Sequence, residues 1–258
     1  MTVPLTAGNA RVKEARKLSR RSVRTERRLF LADGPKAVEG ALSVPGCVAE
    51  VFATPVAAEE YAGLLGATPV TLVDDRAMSG LSDSVHPAGL VAVCRFLEGE
   101  LPPALRLLSI CADVRDPGNA GTVIRTSDAA GAGAVLLAGD SVDPYNPKTV
   151  RATVGSLFHL PVLLERDPAA AVRAAREAGL TVLAADGGGE VDLFAADELL
   201  ARPTAWLFGN EAWGLPAELA ALADHRVRIP ILGVAESLNL ATAAAVCLYA
   251  SARAMMSG

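Results

Sequence analysis

Aromatic side chains are scarce in this chain: six Phe, three Tyr and two Trp make up 4% of its 258 residues. So few rings argue against nucleic-acid binding built mainly on stacked bases. Long apolar runs are missing too. None approaches the roughly eighteen residues that a membrane span needs, so no membrane is expected. The opening stretch, MTVPLTAGNARVKEARK, lacks the apolar core of a secretory signal. Cysteines are few. Cys47, Cys94, Cys111 and Cys247 are widely spaced with no C-x-x-C, and three lie in or beside strand-like runs. They read as buried, reduced thiols, which fits the cytoplasm. The three histidines, His86, His159 and His225, stand alone, and no metal-ligand spacing exists, so no metal is expected.

What the chain does have is aliphatic. Hydrophobic residues reach 51%, dominated by Ala, Val and Leu. Small aliphatic side chains suit close packing of helices on a sheet, and the length is comfortable for two domains. The net charge of −5 is unevenly spread. Residues 1–40 carry ten Lys/Arg against four acids, a surplus of +6, which leaves −11 for the rest. A basic end on an acidic body is expected where one end meets a polyanion. A solvated basic helix is the competing explanation, and on charge alone the two weigh equally.

Apolar periodicity divides the chain into alternating strands and helices. Residues 9–28 read as one helix with Val12, Ala15 and Leu18 as its apolar stripe. Strands are expected at 29–33, 47–54, 69–73 and 89–96, with helices at 35–43, 57–65 and 75–81. That order describes a small α/β domain over 1–97. The polar, proline-containing segment LEGELPPAL ends it, and 98–105 is expected to be a linker. A second set occupies 106–258: strands at 106–114, 134–139, 161–165, 180–186, 204–209 and 225–231, and helices at 119–131, 147–155, 168–178, 216–223 and 239–256. Strands alternating with helices predict a mostly parallel sheet covered on both faces.

Ligands on such sheets bind beyond the carboxyl ends of the strands, and three strand-to-helix turns there carry polar residues. In ADVRDPGNAGTVIRTSDAAG (112–131), Pro117-Gly118 turns the chain and Asn119 is placed to cap the next helix. Arg125 follows within two helical turns, so the two could reach a common site. Taken alone, a cap plus a surface arginine is the better explanation of this turn. In WLFGNEAWGL (206–215), an apolar strand runs into Gly209-Asn210-Glu211, where glycine permits close backbone approach. An ordinary tight turn with Trp213 packed locally is the plain alternative. In VRIPILGVAESLNLATAAAVCLYA (227–250), an irregular loop follows Ile229-Pro230-Ile231, and Ser237-Leu238-Asn239 opens a very apolar helix. Ser237 could be no more than a helix cap. Other patterns are absent. No G-x-G-x-x-G follows a strand, DGGGE (186–190) lacks the G-K-[ST] of a phosphate loop, and VGSLF (154–158) lacks the second glycine of a nucleophile elbow.

Taken together, in order and spacing, the three turns resemble the three motifs of the SpoU family, ribose 2′-O-methyltransferases of the SPOUT class. Asn119 and Arg125 match the first motif. Gly209-Asn210-Glu211 with Gly214-Leu215 match the second, and Ile229-Pro230 with Ser237-Leu238-Asn239 the third. NPKTVRATVGSLFHLPV (146–162) is similar to the family's connecting segment, and residues 9–45 to the start of the substrate-binding domain that often precedes the catalytic one. The chain departs from the pattern at Leu240-Ala241-Thr242, where valine and serine are more usual, and at Ala250, where an acid is common.

The resemblance implies a C-terminal SPOUT domain with a deep trefoil knot, a device rare enough that periodicity could not announce it. It implies S-adenosylmethionine (AdoMet) as cofactor, held by Leu207, Gly209, Asn210, Ile229 and Leu238. It implies a homodimer with the site near the interface. The family gives activation of the ribose hydroxyl to the motif-one arginine, here Arg125. A guanidinium hardly ever deprotonates. Arg125 is therefore expected to hold a substrate phosphate and to stabilise developing alkoxide charge. Asn119 and Glu211 would orient Arg125 or the ribose, and Ser237 and Asn239 would position the nucleotide. The RNA expected is large-subunit ribosomal RNA, with transfer RNA as the alternative. A non-catalytic RNA-binding ribosome-assembly factor keeping the fold is the competing function class. A nucleotide-dependent oxidoreductase has fold class alone behind it.

Overall fold

The structure, a computed structural model, describes residues 3–257. It divides into two compact units, residues 1–98 with 143–159, and residues 99–142 with 160–258.

In the first unit the basic segment is two helices rather than one. The Asn9 side chain accepts from the Arg11 N–H at 2.9 Å and starts α1 (Ala10–Arg16). A 3-10 turn (Lys17–Ser19) follows, Arg20 is extended, and α2 (Arg21–Arg27) begins anew. The break has a physical cause. The last carbonyls of a helical segment lack intrahelical donors. Here the Arg24 guanidinium folds back to donate to Leu18 O at 2.9 Å and Ser19 O at 2.8 Å. An uninterrupted helix would satisfy those carbonyls itself and leave Arg24 outside.

The chain continues through β1 (Leu29–Asp33), α3 (Pro35–Ser43), β2 (Val48–Ala53), α4 (Pro55–Glu60), α5 (Ala62–Leu65), β3 (Val70–Leu72), α6 (Asp75–Leu81) and β4 (Leu90–Arg95). The sheet runs β1-β4-β2-β3, with β4 antiparallel to both neighbours and β2 parallel to β3. Val12 and Leu18 from the basic segment pack under it with Phe52, Met78 and Val91.

The second unit contributes β5 (Leu107–Ala112), α7 (Pro117–Ala129) and β6 (Ala134–Ala138) before the chain enters the first unit with α8 (Pro147–Thr153). It resumes with β7 (Val162–Glu165), α9 (Pro168–Glu177), β8 (Thr181–Ala185), β9 (Val191–Asp192), α10 (Asp197–Leu200), β10 (Thr204–Phe208), α11 (Ala217–Ala220), β11 (His225–Arg228) and α12 (Leu240–Ser257). The seven strands run β7-β6-β5-β10-β8-β11-β9, and every pair is parallel. Strand β5 lies mid-sheet and is buried throughout, as LLSICA, a run without alternation, requires. One core lies under α7 and α12 and another under α9, so both faces are covered.

Several features differ from expectation, and the helix expected at 57–65 is divided into α4 and α5. Helix α7 begins at Pro117, and its cap is Asp116, whose carboxylate accepts from the Asn119 N–H at 2.8 Å. Asn119 thus sits inside the first turn. Helix α12 is capped by Asn239, whose Oδ1 accepts from Ala241 and Thr242, and not by Ser237. Residues 146–159, expected in the catalytic domain, fold with the first unit. Asp143 accepts from Arg24 at 2.6 Å, the Tyr145 ring stacks on Phe96 at 4.0 Å, and the Phe158 ring stacks on Phe30 at 6.0 Å. Gly40 is required there, because a Cβ would lie 2.7 Å from the Phe158 ring. The elements at 191–200 were not foreseen, since two residues of strand exist only through pairing with β11.

Candidate functional site

At the carboxyl ends of β8, β10 and β11 the chain leaves the sheet in three turns that meet. The turn after β10 is a closed five-residue loop. Asn210 N–H donates to Gly214 O at 3.0 Å and Gly214 N–H returns to Asn210 O at 2.9 Å. Gly214 takes φ +70°, a conformation that costs glycine nothing. Gly209 is required for a different reason. A Cβ there would lie 2.4 Å from the Gly214 carbonyl carbon, so only glycine lets the loop fold onto the strand end. Asn210 is buried and locks the loop in place: its Nδ2 donates to Asp113 O at 2.6 Å, and its Oδ1 accepts from Ala212 N–H at 2.8 Å.

This geometry carries Glu211 to the start of α7. The carboxylate accepts from Asp116 N–H at 3.1 Å, Arg115 N–H at 3.3 Å and Asn119 Nδ2 at 3.3 Å. A helix N-terminus favours a negative group in this position. Asn119 Oδ1 in turn accepts from Asn239 Nδ2 at 3.0 Å. One chain of hydrogen bonds, Glu211–Asn119–Asn239, therefore joins the turns that follow β10, β5 and β11 and fixes the orientation of both amides. Beneath it, burial and the nearby Glu211 charge push the Cys111 thiol up to about 12, so it stays neutral.

Beside this network lies a cavity of about 310 Å³, within the low end of the range for ligand sites, roughly 300–1,000 Å³. Phe208, Val227, Ile229, Ile231, Leu238 and Leu240 make its apolar wall. Gly187, Gly209 and Gly214 expose backbone. Asp186, Glu211 and Glu236 supply negative charge, and none of the lining residues is basic. Such a lining repels a phosphate-bearing cofactor and suits a nucleoside that carries positive charge.

Of the residues singled out from sequence, Gly209, Asn210, Glu211, Ile229, Ser237 and Leu238 line this cavity. Asn119 and Asn239 belong to the network at its edge. Leu207 does not line it: the side chain is fully buried in the core on the opposite face. Adjacent strand residues point to opposite faces, and Phe208 takes the cavity side. Arg125 is not brought to Asn119. Six residues along a helix mean a rotation of about 120° and a rise of about 9 Å. Arg125 is exposed, outside the cavity lining, and makes no hydrogen bond or ion pair among the described residues. Sequence reasoning passed over Asp186-Gly187 because DGGGE lacks a phosphate-loop lysine. Their place at the end of β8 was the available signal. Glu236, three residues before Asn239, had none.

Comparison with known proteins supports the same assignment. The SpoU rRNA methylase family matches residues 106–249, and an MRM3-like substrate binding domain matches residues 9–92. The chain belongs to the SpoU rRNA methylase family. The 23S rRNA (guanosine(2553)-2′-O)-methyltransferase RlmP of Bacillus subtilis is 35% identical over 249 residues, 95% of this chain and 96% of that one. The SpoU methyltransferase AviRb of Streptomyces viridochromogenes, solved in complex with AdoMet, superposes with a TM-score of 0.86 at 30% identity, covering 97% of this chain and 99% of that one. An AdoMet-bound rRNA methyltransferase of Sinorhizobium meliloti gives 0.83 at 34% identity, covering 97% of both. Like its relatives, this SpoU chain has a parallel α/β sheet. Among its described residues no helix is long and apolar enough to cross a membrane, and no cluster of metal-ligating side chains is found.

Proposed function

We propose that this chain transfers a methyl group from AdoMet to a ribose 2′-hydroxyl of large-subunit ribosomal RNA. The observation that carries the reading is the joined site: a cavity with three carboxylates and no base, next to a polar network tying three strand ends. AdoMet fits those residues. Its sulfonium and ammonium charges match Asp186, Glu211 and Glu236, and its adenosine matches the apolar wall and open backbone of Gly209, Ile229 and Leu238. The cofactor supplies an electrophilic methyl when bound, so the chain's task is alignment and activation of the acceptor.

Asn119 and Asn239, with orientations fixed by Glu211, position the ribose at the cavity mouth. Ser237 presents a free hydroxyl at the same rim. Arg125 lies outside the cavity of its own chain, so it holds a substrate phosphate and stabilises negative charge developing on the 2′-oxygen at the site of a second copy, a role open to a guanidinium that stays charged. The exposed arginines of the N-terminal unit hold the RNA backbone, which positions without reading sequence. Arg24 is no part of that surface, because it is buried.

The working form we propose is a homodimer in the cytoplasm. Tyr249 and Met256 on α12 are exposed, and α12 packs on the helix that carries the unengaged Arg125. A second copy there would place the site beside the interface. A C-terminal trefoil knot is consistent with β11, which lies between β8 and β9 although those two are consecutive in the chain. Transfer RNA is the second substrate reading, and a binding-only assembly factor has no use for the acidic cavity. The test is transfer of labelled methyl from AdoMet to unmodified large-subunit rRNA, small-subunit rRNA and tRNA, followed by digestion to nucleosides. Label in 2′-O-methylnucleosides of the large-subunit RNA is expected. Label in a base, or none, would contradict the proposal.

A further inference from the structure

The chain has two tryptophans, used in opposite ways. Trp206 in β10 is wholly buried, and its Nε1 donates to Ser251 Oγ at 2.9 Å. Trp213, seven residues on, is 55% exposed. It stands on the tip of the closed 210–214 loop, whose other residues, Asn210, Glu211, Ala212 and Gly214, all line the cavity. Among the described residues its ring is met by the Arg115 guanidinium, 5.2 Å from the ring centroid. Arg115 is held in turn by its backbone N–H on the Glu211 carboxylate and by a 3.5 Å ion pair with Asp140.

The exposed indole is carried on a closed loop and has a cation on one face. Two backbone hydrogen bonds close the loop beneath it. A ring with open surface, carried on a closed loop whose other residues line a nucleoside site, has the form of a stacking platform. Neither Arg115 nor Trp213 belongs to the residues through which the chain resembles its family.

We infer that Trp213 is a shelf on which one unpaired nucleobase of the RNA stacks, beside the ribose that accepts the methyl group. Arg115 braces the ring and keeps guanidinium N–H groups free for the adjoining phosphate. Because every base has a π face, the shelf sets the register of the strand and does not read its sequence. A single shelf also accords with a chain poor in aromatics. The inference rests on the methyltransferase reading above.

The experiment measures steady-state methyl transfer to an unmodified large-subunit rRNA transcript by the wild type, Trp213→Ala and Trp213→Phe, varying RNA and AdoMet separately. Loss of a stacked base should raise the KM for RNA about ten-fold or more in the alanine variant, while the phenylalanine variant stays within about three-fold. Since stacking is made equally in the ground and transition states, kcat should hold, and the KM for AdoMet should stay within about two-fold. A merely structural role would move the AdoMet constant. An unchanged RNA constant overturns the shelf, as does a shift from dimer to monomer in sedimentation that accounts for the loss. A wild type that transfers no methyl to rRNA overturns the activity and the shelf together, and so is distinguishable from failure of the shelf alone.

Discussion

The basic helix pair of the N-terminal unit and helix α7 of the methylase unit each carry an arginine, Arg24 and Arg125, and the two are used oppositely. Arg24 is 2% exposed. It makes two hydrogen bonds to Asp143 and two to the carbonyls of Leu18 and Ser19. Arg125 is exposed and makes none among the described residues. A buried guanidinium must be paired, because an unpaired one would lose its hydration without compensation. An exposed one with no internal partner keeps its donors for something outside the molecule. Charge alone could not tell these arginines apart; what separates them is where their donors go.

If that contrast holds, Arg24→Ala should damage the fold and spare the chemistry. It strands the Asp143 carboxylate, buried with it, and frees two helix-end carbonyls. A stability loss of about 3–5 kcal/mol is expected from chemical denaturation, and a loss below about 1 kcal/mol would show the pair to be ornamental. The complementary variant, Arg125→Ala, should leave the melting temperature and AdoMet affinity unchanged while lowering kcat about 100-fold or more, as for removal of one donor to developing charge. Near-wild-type turnover would break the assignment.

Glu211→Gln sharpens the comparison within the methylase unit. The amide keeps the size of the side chain but can accept fewer of the three donors that converge on it. A roughly ten-fold loss of activity with a small loss of stability is expected, since hydrogen bonds to charged groups are worth about 1.5–3 kcal/mol. Replacing the exposed Arg20 and Arg21 with alanine should weaken RNA binding modestly and lower the salt slope by about two, with catalysis at saturating RNA intact. Deleting the whole basic segment would not test this, because it removes Arg24 as well.

The smallest effect concerns pH. Cys111 ionises in the unfolded chain near its ordinary value of 9.0 and in the folded protein at about 12. Between those values the unfolded state has fewer protons bound, so stability falls as pH rises through that window and is flat below it. Cys247 shifts in the same direction by burial, and Cys94 by its hydrogen bond with Cys47 together with burial. Denaturation midpoints should thus fall from about pH 9 upward. A midpoint that rises there would contradict the neutral, buried state of these thiols.

The comparison also shows how much of the molecule could be read from sequence. Apolar runs such as LLSICA and AVLLA placed the parallel strands, because a strand buried on both faces takes a polar residue only where it finds a partner, as Ser109 does in Ser127. Prolines at 35, 147 and 168 stood at the helix starts expected there, whereas Pro117, read as part of a turn, proved to be the first residue of α7. The motif turns were legible because their glycines and amides sit at strand ends, where ligands bind. Other features depended on partners distant in the chain. Nothing local marks Arg20 as a break, since the break serves Arg24 and Asp143, 119 residues apart. Nothing local assigns 143–159 to the first unit, where Tyr145 and Phe158 complete an aromatic cluster. Leu207 and Phe208 were separable only by strand parity, and Asn119 and Arg125 only by counting degrees around α7.

The central claim is that this chain methylates a ribose in large-subunit ribosomal RNA. The direct measurement is a map of 2′-O-methyl positions in ribosomal RNA from cells with the gene, without it, and complemented with either the wild type or Arg125→Ala. One large-subunit position should lose its methyl group in the deletion, regain it with the wild type, and stay bare with the variant. Identical maps in all four would contradict the account, as would a change confined to a base or to transfer RNA.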